Sequence, residues 1–245
     1  MPLGQVKPYL REVSLRPDQD LGDAYPYSIP AVRDMGTLRF HADVTFFVGE
    51  NGAGKSTILE AIALALGHGA EGGTLNVQRA TAHTTSPLHH ALRLSRGFRR
   101  PKDGYFLRAE SFYNIATYMD EVGYLDAYGG QSLHRQSHGE SFMAVLTNKL
   151  RGDGLYLFDE PEAALSPNRQ LAALYAIHAL VKQRSQFIIA THSPILLAYP
   201  GATIYLLDGS GIAQTTYEDT EHYAITRDFL NHYPKRVADL LRDED

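Results

Sequence analysis

The sequence predicts an α/β fold, a mainly parallel central sheet flanked by helices, and three observations carry that reading. Apolar runs rich in β-branched and aromatic residues recur along the chain: "VTFFVG" (44–49), "GLYLF" (154–158), "QFIIA" (186–190) and "TIYLLDG" (203–209). They lack the polar alternation of half-exposed strands, as parallel strands covered on both faces do. Helix-patterned segments separate them, and 245 residues with 44% hydrophobic content suffice for one substantial core.

Residues 1–42 hold short segments broken by Pro26, Tyr27 and Pro30, expected as strands and turns. "VTFFVG" is a buried strand ended by glycine. "KSTILEAIALALG" follows, with Ile58, Leu59, Ile62, Ala65 and Leu66 at helical spacing and Gly67 and Gly69 as a stop. Residues 70–104 are polar and weakly periodic. "GYFLRAESF" (104–112) reads as another strand, and the tyrosine-bearing segment 113–130 ends at Gly129 and Gly130. Phe142, Met143, Val145, Leu146 and Leu150 mark a short helix. Ser166 as N-cap and Pro167 at the first position open a helix carrying Leu171, Leu174, Ile177, Leu180 and Val181. Segment 221–242 reads as helical.

Composition narrows the function classes. A formal charge of −5 argues against a surface that is basic overall, though not against a local basic patch. Without cysteine there are no disulfides and no thiolate metal sites. No apolar run reaches the ~18–20 residues that span a bilayer, and "MPLGQVKPYLREVSLRPDQD" lacks the apolar core of a secretion signal. A cytoplasmic protein with no direct membrane insertion is expected.

"GENGAGKST" fits G-x-x-x-x-G-K-[ST], with Gly49, Gly54, Lys55 and Ser56 at the fixed positions between a strand and a helix. In such a loop, Gly49, Glu50, Asn51, Gly52, Ala53, Gly54 and Thr57 offer backbone N–H groups to a polyphosphate. The following helix start adds its positive end, and Lys55 reaches the β- and γ-phosphates. Ser56 supplies a hydroxyl to Mg²⁺. "LYLFDEPEAALSP" (155–167) places Asp159 and Glu160 after an apolar strand. The first acid of such a pair holds Mg²⁺, and the second orients and deprotonates the attacking water. "IIATHSP" (188–194) puts His192 at the end of another buried strand, within reach of the γ-phosphate or that water.

Together these residues resemble the ABC-type ATPases, a family spanning transporter ATP subunits and DNA-maintenance ATPases. The resemblance implies a P-loop NTPase fold of ABC-ATPase type with ATP and Mg²⁺ as cofactors. It further implies an antiparallel N-terminal β portion and a small helical lobe over about 113–150, within one domain, 1–245. Family members carry a serine-glycine signature opening a helix upstream of the acidic strand. Ser137 and His192 stand at the expected separations from Asp159, so "QSHGE" aligns with that signature. Ser137, Gly139 and Glu140 then match residues that meet the ATP of the opposite subunit, which implies a homodimer with nucleotide at its interface. The alternative is an ordinary helix cap by Ser141 or Ser137.

"DEPEAALSP" and Asn51 look more like the DNA-maintenance and phage-defence ATPases than the transporter subunits. "RAESF" and "HGESF" look most like small standalone ATPases of that side. Transporter-type members carry glutamine after the strand that here ends "FLRAE". Glu110 stands near that place, either as a further Mg²⁺ contact or as a solvated strand-end charge. Ser166 replaces the aspartate expected after "AAL". Between Thr57 and Tyr156 there is no room for the long coiled coil of chromosome-maintenance ATPases, and few residues follow His192. An ATPase head and little else is expected. The alternatives are the ATP subunit of a membrane transporter and a nucleotide-sensing module of a toxin or defence complex.

Arg93, Arg96, Arg99, Arg100, Lys102 and Arg108 cluster in "RLSRGFRRPKDGYFLR", where they either contact a nucleic-acid backbone or form a solvated loop. Tyr25 or Tyr27 either stacks on a base or packs in the core. A protein partner is expected but not identified by these residues.

Overall fold

The computed structural model describes residues 6–17, 22–74, 86–109 and 138–242. Among them, β1 (Leu10–Leu15), β2 (Leu38–Arg39) and β5 (Leu92–Arg96) form a small antiparallel sheet in the order β2-β1-β5. The central sheet contains β3 (Val44–Val48), β6 (Asp103–Arg108), β7 (Gly154–Asp159), β8 (Gln186–Ala190) and β9 (Thr203–Asp208). These five run parallel in the order β9-β3-β8-β7-β6. β4 (Gly73–Thr74) and β10 (Gly211–Thr215) close its two edges antiparallel. The expected mainly parallel sheet and antiparallel N-terminal β portion are both present.

Side chains leave a strand alternately on its two sides, so each unbroken apolar run serves two cores. Phe46, Tyr156, Phe158, Phe187 and Ile189 pack on one face with Ile177, Leu180 and Val181 of the helix Pro167–Lys182. Phe47, Leu157, Ile188 and Leu207 pack on the other with Ile58, Leu59 and Ile62 of the helix Lys55–Leu66. Each such side chain contributes about 1.5–3 kcal/mol when fully buried. In chain order the helices are α1 (Pro30–Arg33), α2 (Lys55–Leu66), α3 (Leu88–Ala91), α4 (His138–Ala144), α5 (Pro167–Lys182), α6 (Pro194–Leu197) and α7 (Glu221–Leu240).

Several expectations are corrected. The polar stretch 70–104 contains α3 and β5; "LRLSR" is covered on one side only, so its apolar signal is weak. Leu171 is 58% exposed and lies off the buried face of α5. Ser166 occupies the N-cap position with Pro167 behind it, but its side chain makes no capping bond. Ser141 is buried inside α4, so it is not that helix's cap. The helix over Phe142–Leu146 is present and passes into a wider turn, Val145–Lys149. Segment 110–137, including most of the expected helical lobe, lies outside the described residues.

Gln186 opens β8 fully buried and ties the two sheets together. Its side-chain oxygen accepts from the Tyr9 and Leu10 N–H groups, and its amide nitrogen donates to the Leu10 and His41 carbonyls. With β3, β7 and β8 parallel, the segments that leave their C-terminal ends emerge on one edge of the sheet: 49–57, 159–164 and 191–194.

Candidate active site

The loop between β3 and α2 is fixed first by close approach. A Cβ on Gly49 would lie 2.1 Å from the Leu207 carbonyl oxygen on neighbouring β9, so only glycine fits there. Lys55, at the first position of α2, is buried, and its Nζ donates to the Gly49 and Glu50 carbonyls, 2.9 Å each. Burial lowers its pKa, while the nearby carboxylates of Glu160, Asp159 and Glu162 oppose that shift. The loop therefore holds one cation inward, with Glu50, Asn51 and Gly52 at its exposed rim, Ala53 and Thr57 half-buried, and Gly54 buried.

Ser56 Oγ donates to Asp159 Oδ1 at 2.8 Å, a bond between residues 103 apart in sequence. Asp159 is buried at the end of β7. A hydroxyl and a carboxylate are the hard oxygen donors that suit Mg²⁺, and they meet beside the phosphate loop. These two residues fit the ion. Glu110 and Ser137 lie outside the described residues.

Glu160 follows with left-handed backbone angles, φ 49° and ψ 52°, while its N–H still bonds the Ala190 carbonyl on β8. A non-glycine residue held there stores about 1–3 kcal/mol, and such strain clusters at functional sites. The turn swings its side chain away from the strand, leaving it 40% exposed, with Oε1 3.4 Å from His192 Nε2. A cleft of about 270 Å³ is lined by Ser56, Arg108, Asp159, Glu160 and Ala164 among others.

His192 is held from both sides. Glu162 accepts hydrogen bonds from the Thr191 hydroxyl and the His192 backbone N–H. The ring nitrogen Nδ1 lies 3.0 Å from Nε2 of His222, in the first turn of α7. Burial, then His192, then Lys55 lower the pKa of His222. Sequence reasoning missed both supports. Glu162 carried a signal, a further acid in "DEPE"; His222, 30 residues beyond His192, carried none.

Arg108 departs from the basic cluster in which the sequence placed it. Its Nη1 donates to Glu60 Oε2 at 2.6 Å, and its Nε lies 3.6 Å from Asp159 Oδ2, so it serves the acidic strand end. Arg93 and Arg96 are three apart on β5 and leave it on opposite sides. Arg99, Arg100 and Lys102 line a separate cavity of about 320 Å³ with Asp153 and Arg184. Arg184, with Lys102 in a smaller part, pairs with Asp153 and holds its pKa down to about 2. The six cations named from sequence are thus not one stripe.

Gly139, near the start of α4, packs against the loop after the acidic strand. A Cβ there would lie 2.4 Å from Arg169 Nη1 and 2.8 Å from the Ala164 carbonyl oxygen. Glu140 pairs with Arg169 at 3.2 Å within the same chain. Tyr25 is exposed, its hydroxyl 3.4 Å from Thr57 Oγ1, whereas Tyr27 packs against the core.

Residues 29–108 match a family model described as an AAA domain. Residues 125–198 match one described as "AAA domain, putative AbiEii toxin, Type IV TA system". Over 76 residues the chain is 34% identical to a Haemophilus influenzae protein described as an uncharacterized ABC transporter ATP-binding protein. That stretch is 31% of this chain and 29% of the relative, so less than a third of the relative's length is spanned. Among solved structures, the SMC head domain from Thermotoga maritima is similar, with 15% identity and a TM-score of 0.47 over 85% of this chain and 98% of that one. So is cbiO1 from Clostridium perfringens, part of the ABC transporter complex cbiONQ: 16% identity, TM-score 0.47, 84% and 90% of the two chains. The phosphate loop lies within the first of these two AAA-domain matches and the acidic strand end within the second, on an α/β fold of the P-loop NTPase kind.

Proposed function

We propose that the protein binds ATP with Mg²⁺ and hydrolyses it as a single-domain head that dimerises with two nucleotides between facing subunits. The observation that carries this reading is the bond from Ser56 to Asp159, which joins the phosphate loop to the acidic strand end. Lys55 and the 49–57 backbone hold the β- and γ-phosphates, and Tyr25 stacks on the base. Ser56 and Asp159 hold Mg²⁺, which when bound neutralises phosphate oxygens. Glu160, exposed on its turn, takes the proton of the attacking water. His192 presents Nε2 to the γ-phosphate. Ser137, Gly139 and Glu140 complete the site of a second copy, and Glu110 supplies a further contact near the ion.

ATP binding then closes the dimer and hydrolysis opens it, a switch that drives a partner. We read the role as DNA maintenance or phage defence, supported by the toxin-related description of the family matching 125–198. Phe98, 94% exposed beside Arg99 and Arg100, suits a nucleic-acid contact, an aromatic face flanked by phosphate-pairing cations. A transporter ATP subunit is the second reading, favoured by the description of the Haemophilus influenzae relative.

The test is steady-state ATP hydrolysis by wild type, Lys55→Ala and Glu160→Gln, with and without duplex DNA. Lys55→Ala should lose nucleotide binding. Glu160→Gln should bind ATP while kcat falls on the order of 10²-fold or more. Wild-type turnover by Glu160→Gln would sink the assigned base, and indifference to DNA would turn the search to protein or membrane partners.

A further inference from the structure

The imidazole of His192 can donate from Nε2 only when that nitrogen carries a proton, and its other nitrogen faces a second imidazole. Nε2 of His192 is buried, has no hydrogen-bond partner among the described residues and lies 3.4 Å from Glu160 Oε1. To donate toward that carboxylate or a phosphate, Nε2 must carry the proton, which leaves Nδ1 as a bare lone pair. That lone pair is met by Nε2 of His222 at 3.0 Å. Only one of the two facing nitrogens can hold the shared proton. If His222 donates it, His192 keeps N–H on the side facing Glu160; if His192 donated, its Nε2 would be an acceptor facing acceptors. A neutral ring's tautomer is set by the partner of its other nitrogen.

We propose that His222 is a positioning residue for His192: its Nε2–H donates to His192 Nδ1 and so fixes the tautomer that turns an N–H toward Glu160 and the γ-phosphate. The proposal rests on the assignment of His192 to the γ-phosphate made above.

The surroundings hold His222 where this requires. Thr220 is fully buried as the N-cap of α7, accepting from the Tyr223 N–H and donating to the Tyr217 carbonyl. The Tyr217 hydroxyl donates at 2.8 Å to the carbonyl of Pro194, two residues past His192. Segments 217–223 and 192–194 are therefore bonded at two points. Beyond this turn α7 buries no residue, so among its residues the anchored ones are those beside the site. Burial lowers the pKa of His222, which favours the neutral ring with one proton to give.

The test joins ring ¹⁵N NMR of the histidines to kinetics on folded His222→Ala, His222→Gln, His192→Ala and the double alanine variant. Wild-type His192 should show the Nε2–H tautomer, and His222→Ala should mix the two forms. In that variant kcat should fall on the order of tenfold, the loss usual when an imidazole's outer partner is removed, with the Kd for ATP unchanged. His222→Gln keeps an N–H donor at similar reach and should recover both readouts. Adding His222→Ala to His192→Ala should cost nothing further. An unchanged tautomer and an unchanged kcat in His222→Ala, with His192→Ala impaired, would overturn the proposal alone. Full activity in His192→Ala with a shifted tautomer in His222→Ala would instead overturn the γ-phosphate role while supporting the pairing.

Discussion

Glu162 shows how a residue outside the reacting set controls it. Its two carboxylate oxygens are taken by the Thr191 hydroxyl and the His192 N–H, so the turn after β7 is bonded to the turn after β8. Glu162→Gln turns one acceptor into a donor facing a donor. A hydrogen bond to a charged group contributes about 1.5–3 kcal/mol. The variant should therefore lose roughly that much stability in urea unfolding, and its kcat should fall more than its affinity for ATP. An affinity loss with kcat intact would mean that the clamp serves binding rather than the placement of His192. At this scale the residues at fixed spacing were legible: Lys55, Ser56, Asp159, Glu160 and His192 are all placed at one sheet edge. Glu162 and His222 were not, because what they touch depends on which strands are neighbours. Arg108 was misread for the same reason, since the sequence shows a run of cations but not the Glu60 carboxylate facing one of them.

The elements follow from apolar runs where both sheet faces are covered, and less so where one is open. "VTFFV" and "QFIIA" are buried at every position, so their unbroken apolar character announces them; β5, covered on one side, was missed. The segment after α2 carries a pH dependence of its own. His68 is buried beyond the helix end, Nδ1 3.3 Å from the Gly73 carbonyl, and burial lowers its pKa from 6.5 to about 4. The folded form therefore resists a proton that the unfolded chain accepts. Stability from this group is full above pH 6.5 and is lost as pH falls toward 4, by roughly 3 kcal/mol in all. Unfolding free energies measured across that window should slope downward with acidity, and His68→Phe should flatten that part of the curve. An equal slope in the variant would assign the loss to other groups.

At the scale of the whole molecule, the one-edge convergence of three strand ends makes half of a site that a second copy completes in our reading. Gly139 and Glu140 already pack on Ala164 and Arg169, so the helix that would meet the second nucleotide is coupled to the turn carrying Glu160. Under the proposed dimer, that contact links hydrolysis in one site to the surface offered to the other. The most direct measurement is the solution mass of Glu160→Gln by light scattering, with and without saturating ATP and Mg²⁺, nucleotide binding being confirmed on the same sample. The account predicts a shift from 27.2 kDa to about twice that value on adding ATP. A variant that binds ATP and stays at 27.2 kDa would contradict the nucleotide sandwich.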